Sequence, residues 1–124
     1  KVKSIMRKKS MVPLVSEEME MREAVLEISK KGLGVTGVLN QKEELIGLIT
    51  DGDLRRTLVE NLLSRSAADV MTQSPQSIKP QALAAEAVAL MNERKITNLF
   101  VMAEGSRKPL GVLHIHDLLK AGIT

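Results

Sequence analysis

Apolar and polar positions run along this chain in two matching rounds. In each round a short extended piece, "MVPLVS" (11–16) or "QSIKP" (76–80), leads into an amphipathic stretch. In the first, Met21, Val25 and Ile28 share one helical face with Leu26 beside them, and Gly32 stops the helix. In the second, Leu83, Ala87, Leu90 and Met91 do the same. Two apolar strands follow each helix across a polar turn. They are Val35–Leu39 and Leu45–Ile49 around "NQKEE", then Leu99–Met102 and Leu110–Leu113 around "AEGSRK". The last strand of each round runs straight into a short helix, Asp51–Val59 or Ile115–Lys120, and "ENLLSRSA" (60–67) links the rounds.

The two rounds are an internal repeat. "SIM" (4–6) answers "DVM" (69–71), and "REAVLEISKK" (22–31) answers "AEAVALMNER" (85–94). "GVTGVLN" (34–40) answers "TNLFVMA" (97–103), and "IGLITDGDL" answers "LGVLHIHDL". The order is constant and the offset stays at about 64 residues, so the matches support one another. The expected division is a first repeat over 1–60, a linker over 61–68 and a second repeat over 69–124. A β-α-β-β-α unit buries one sheet face under its own helices and leaves the other wanting a partner. The expected fold class is therefore α+β: two such units packed sheet to sheet about a pseudo-two-fold axis, with two related clefts at the seam.

Composition narrows the field. A chain of 124 residues with 44% apolar content can bury a real core, roughly 65% of its unfolded surface. Cysteine is absent, which removes disulfides and thiolate metal sites and fits a reducing, cytoplasmic setting. No apolar run approaches the ~20 residues of a membrane span, and no signal peptide opens the chain, so no membrane role is expected. Lys1 stands where a Met would, which reads as a segment cut from something longer. The net charge is +3, with basic residues dispersed apart from "RKK" (7–9) and Arg55-Arg56, both read as solvated surface. Phe100 is the one aromatic residue, so nucleic acid would find no stacking platform.

The candidate chemistry sits at the two strand-to-helix corners. Thr50 and Asp53 form a Thr-x-x-Asp unit, which fits a capping box: Thr50 accepts from a backbone N–H near Asp53, and Asp53 favours the positive helix end. The same pair suits a second task. A carboxylate there can accept both hydrogens of a ribose cis-diol, with the Thr hydroxyl beside it, and Arg55 and Arg56 one turn along can meet a phosphate. One threonine can cap and also line a cleft. In the second corner Asp117 keeps the carboxylate, while His114 replaces the hydroxyl. That leaves an altered site, turned towards an anionic group, or a closed structural copy. The "HIHD" run invites a metal reading through His114, His116 and Asp117, yet no other histidine exists to complete a ligand set, and no metal is expected. No Ser-His-Asp constellation follows from spacing and no Cys is present, so no catalytic residue is assigned to this chain.

The repeat order, the unit length and the "G-h-h-h-T-x-x-D-h" ending resemble the CBS domain, named after cystathionine beta-synthase, in the tandem form called a CBS pair or Bateman module. The resemblance covers nearly the whole chain. It implies that Thr50 and Asp53 hold the ribose of an adenosine-type nucleotide between the repeats, and that Met11, Val12 and Pro13 pack on the base. The stretches "TDGDLRR" and "PLGVLHIHDLLKAG" are further similar to the C-terminal module of the arabinose 5-phosphate isomerase family, as is the opening "VKSIM" to the segment before it. In that family an N-terminal sugar isomerase (SIS) domain interconverts ribulose 5-phosphate and arabinose 5-phosphate on the way to Kdo, a lipopolysaccharide sugar. The resemblance implies a non-catalytic regulatory module whose effector, an adenine nucleotide or the end product CMP-Kdo, tunes the attached isomerase. The acid sugar of CMP-Kdo would meet His114 or His116. Homodimerisation through the CBS pairs is expected. The alternatives are an assembly module that binds nothing, or the CBS pair of another enzyme or a transporter.

Overall fold

The structure is a computed structural model that describes residues 1–56 and 61–123. It divides into two compact units. One comprises Pro13–Pro75, the other Lys1–Val12 together with Gln76–Thr124. Each contains one four-stranded sheet and its helices.

In the Pro13–Pro75 unit, strand β2 (Leu14–Ser16) leads to helix α2 (Met21–Lys31), then to strands β3 (Val35–Leu39) and β4 (Leu45–Thr50), and into helix α3 (Asp51–Arg56). Helix α4 (Ala67–Val70) and strand β5 (Thr72–Gln73) close the unit. The sheet order is β2-β3-β4-β5, with β2 and β3 parallel and the other pairs antiparallel. Helix α2 is the crossover that a parallel pair requires. Its apolar spacing buries Met21, Ala24 and Ile28 against Val15, Val38 and Ile49. Gly32 ends it in the left-handed region (φ 72°), with its N–H on the Ile28 carbonyl at 3.0 Å, as the sequence predicts. Leu26 departs from expectation: it is exposed, because a step of three and then one of four from Met21 carry the buried stripe through Ala24 to Ile28 instead.

The other unit repeats this plan. It holds β6 (Ser77–Ile78), α5 (Ala84–Arg94), β7 (Asn98–Met102), β8 (Pro109–His114) and α6 (Ile115–Lys120). Its fourth strand, β1 (Arg7–Lys8), follows the short helix α1 (Val2–Ile5) from the chain start, and the sheet order is β1-β8-β7-β6. The core joins Val2 to Ala87, Met91, Leu99, Leu113 and Leu118. Leu83, expected on the buried face of α5, is exposed because it precedes the helix, where its N–H donates to the Glu86 carboxylate at 3.3 Å. The hairpins β3–β4 and β7–β8 even carry a register shift at matching places, Val38/Leu39 and Val101/Met102. The expected helix Asp51–Val59 is described as Asp51–Arg56, and its remainder lies outside the described residues.

The compact units are thus cut differently from the sequence repeats. Each sheet takes one edge strand from the residues directly after a matched "SIM" or "DVM" triplet. That strand lies antiparallel to β4 or β8, with Gln73 opposite Gly47 and Lys8 opposite Gly111. The two glycines have a steric cause. A Cβ on Gly47 would stand 2.5 Å from the Met71 sulfur and 2.9 Å from the Thr72 carbonyl oxygen. On Gly111 it would stand 2.5 Å from the Arg7 carbonyl oxygen and 2.7 Å from the Met6 sulfur.

Candidate functional site

The two strand-to-helix corners are the structural centre of the repeat. In the first, β4 ends at Thr50 and the chain turns directly into α3. Thr50 Oγ1 accepts from the Asp53 N–H at 3.1 Å, and Asp53 Oδ2 accepts from the Thr50 N–H at 3.0 Å. This reciprocal pair is the capping arrangement expected from the Thr-x-x-Asp spacing. Asp53 is 7% exposed, a burial that a carboxylate tolerates only with partners. Its Oδ1 takes them from two directions: Arg56 Nη2 donates at 2.8 Å and the Thr72 hydroxyl at 3.2 Å. The Arg56 side chain is 72% exposed, so its end stays in water. Arg55 beside it is exposed as well.

Thr72 is a member of the corner that sequence reasoning missed. It arrives on β5, 19 residues beyond Asp53, and its only sequence signal is its place directly after the "DVM" triplet.

The second corner has the same frame with different partners. His114 ends β8 and caps α6: its Nδ1 accepts from the His116 N–H at 3.1 Å. The imidazole thus performs the capping task of the Thr50 hydroxyl, one residue earlier in the helix. The two imidazole rings stand edge to face, 4.7 Å apart. Burial lowers the His114 pKa below that of an ordinary histidine, and the neighbouring His116 and Arg7 push the same way against the opposing pull of Asp117.

Asp117 faces Arg7. Arg7 Nε donates to Oδ2 at 2.9 Å and Nη2 to Oδ1 at 3.0 Å, a two-pronged pair in which the side chains keep 31% and 17% of their exposure. The guanidinium holds the Asp117 carboxyl below the usual carboxylate range, and the His114 backbone also donates to it. Asp117 in turn raises the Arg7 pKa. Reading "RKK" as solvated surface fails for Arg7, whose partner comes from the far end of the chain. Among the described residues no three His, Asp or Glu side chains gather to hold a metal ion.

The remaining candidates divide between the units. Met11 is exposed and Val12 buried, and both belong to the unit that contains Gln76–Thr124. Pro13 is buried in the other unit, where its carbonyl accepts from the Gly37 N–H at 2.9 Å. A hollow of about 340 Å³ lies between the C-terminal half of α2 and the start of α3, lined by Val25, Ile28, Ser29, Asp51 and Leu54 among others. None of the candidate site residues lines it.

The CBS domain family model matches residues 2–60 and 67–123. The chain belongs to the CBS domain family. Over 125 residues it is 42% identical to the arabinose 5-phosphate isomerase KdsD of Escherichia coli K12, covering 99% of this chain and 38% of that protein. This CBS pair therefore spans well under half the length of the curated relatives it matches. Among solved structures it superposes on CBSX2 in complex with AMP with a TM-score of 0.84, at 21% identity, over 98% of this chain and 94% of that one. The CBS domain pair of protein MJ0100, in complex with 5-methylthioadenosine and S-adenosyl-L-methionine, gives a TM-score of 0.84 at 18% identity, again over 98% and 94%. At these identities the likeness is one of fold. No helix among the described residues is long and apolar enough to cross a membrane.

Proposed function

We propose that this CBS pair is the regulatory part of a cytoplasmic arabinose 5-phosphate isomerase, and that it binds a nucleotide-type effector at the Thr50–Asp53 corner. The observation that carries the proposal is the partner set of Asp53. A carboxylate offers about four lone-pair positions. At Asp53 they are met by one backbone N–H, one hydroxyl and one solvent-facing guanidinium. The Thr72 hydroxyl and the solvent-exposed end of a long arginine are displaceable partners, so a ribose cis-diol can take their place without unfolding the cap. Arg56, released from Asp53, and Arg55 then offer charge to a phosphate. CBS pairs that hold AMP or S-adenosyl-L-methionine make an adenine nucleotide the leading candidate, and CMP-Kdo is the pathway-specific one.

Two results test this reading. Thermal melts with AMP, ATP, CMP and CMP-Kdo should show stabilisation by one of them; a ligand at 100 times its Kd adds about 2.7 kcal/mol. In the parent isomerase, with its N-terminal SIS domain, the same ligand should shift substrate affinity or rate, by roughly 5- to 150-fold for a typical coupling. A flat response to all four ligands would reject the sensor.

A second reading has its own support. Leu26 on α2 and Leu119 on α6 are exposed, as is Leu63 beside α2. Such side chains suit self-association, and a two-fold homodimer is the commonest closed assembly. Sedimentation of the chain, with and without Leu26→Lys, tests it.

A further inference from the structure

The two repeats treat their equivalent carboxylates differently: the arginine on Asp53 is Arg56, three residues along and 72% exposed, whereas the arginine on Asp117 comes from a neighbouring strand and reaches both oxygens. Thr72 pairs with Leu48 in the sheet, and Arg7 pairs with Val112. The next residues, Gln73 and Lys8, lie opposite Gly47 and Gly111. Thr72 and Arg7 are therefore counterparts on counterpart strands, and each points its side chain at its own unit's aspartate. Thr72 brings one hydroxyl, at 3.2 Å, to one oxygen of Asp53. Arg7 brings two N–H groups, at 2.9 and 3.0 Å, to both oxygens of Asp117. A bidentate guanidinium meets both oxygens of the carboxylate at once and so fills the positions a cis-diol would use. His114 adds bulk where Thr50 has a small hydroxyl.

We infer that Arg7 is the residue that closes the second repeat to a diol ligand, so that Asp117 holds the chain's own N-terminal segment where Asp53 is left open to a nucleotide. This rests on the proposed role of Asp53 and extends it to a division of labour between the repeats. The pair also has a mechanical consequence. Arg7 belongs to a two-residue strand that follows α1, so a ligand able to win Asp117 must loosen the segment at the chain start.

The test is a calorimetric titration of AMP into the chain and three variants: Asp53→Asn, Arg7→Thr/His114→Thr, and the latter with Asp117→Ala added. The expected stoichiometries are one, none, two and one. Two sites in the unaltered chain would overturn the inference. So would a folded double variant that gains no site, or a gained site that survives Asp117→Ala. If the unaltered chain binds no AMP, the Asp53 reading fails; a site gained by the double variant then still supports the closing role of Arg7, and no gain overturns it. Should the double variant not fold, Arg7→Gln/His114→Thr keeps more of the side-chain stem than Thr does, without the charge, and has the same expected count. Independently, Arg7→Gln should raise amide exchange at least tenfold at whichever of positions 7 and 8 turns its N–H to β8, and unchanged exchange there would overturn the tether.

Discussion

Arg7 and Asp117, 110 residues apart in sequence, form a two-pronged ion pair that ties the chain start to the helix near its end. The pair is neither fully buried nor fully exposed. Removing one partner should cost about 1–2 kcal/mol, between the small value of surface pairs and the 3–5 kcal/mol of buried ones. Arg7→Met and Asp117→Asn should therefore lower the urea midpoint by similar amounts. The double variant should lose less than the sum of the two, since the second change removes a group already without its partner. Strict additivity in this cycle would show that the pair contributes nothing.

The glycines opposite β1 and β5 make a separate prediction. Gly47→Ala and Gly111→Ala each force a methyl against a methionine sulfur and a carbonyl oxygen. Overpacking of this kind costs about 1–3 kcal/mol. Shortening the methionine, as in Gly47→Ala/Met71→Ala, removes one clash and leaves the Thr72 carbonyl in place, so the double variant should not regain wild-type stability. Chemical denaturation reads the outcome, and a neutral Gly47→Ala would mean that β5 does not lie where it is described.

Acid should weaken the fold through His114 first. Its pKa is depressed in the folded chain, chiefly by burial, so the unfolded chain binds the proton more readily. The groups that face it are His116, Arg7 and Asp117. The stability it contributes is complete above the unfolded value of about 6.5 and is lost as pH falls through the folded value. Protonation at Nδ1 would also remove the acceptor that caps α6. Asp117, likewise depressed, contributes above the unfolded value of about 3.9 and loses that contribution at still lower pH. Unfolding free energy should thus decline as pH falls below the unfolded histidine value of about 6.5. His114→Asn, whose side-chain oxygen can still accept from the His116 N–H, should flatten that decline.

Much of the architecture was legible in the sequence because it is periodic. Helical spacing placed α2 and α5, and the twin apolar runs placed β3, β4, β7 and β8 within about a residue. Helix α6 has the expected bounds, Ile115–Lys120. The Thr50–Asp53 cap followed from spacing alone, since its partners are three residues apart. Strands β1 and β5 could not be seen this way: a two-residue strand has no period, and its pairing is decided by a distant glycine. Thr72 and Arg7 were missed for the same reason. The "SIM" and "DVM" match held the clue, and its meaning needed the sheet register.

Asp53 is proposed as a ligand-binding carboxylate as well as a cap. Isothermal titration of AMP and CMP-Kdo into the chain and into Asp53→Asn tests it most directly. Asn keeps the size of the side chain and an acceptor for the Thr50 N–H, but it loses the charge and one acceptor oxygen. The unaltered chain should bind one of them, with at least a tenfold loss of affinity in a variant that remains folded. Equal affinity in the two proteins, or no heat with either ligand, would contradict it.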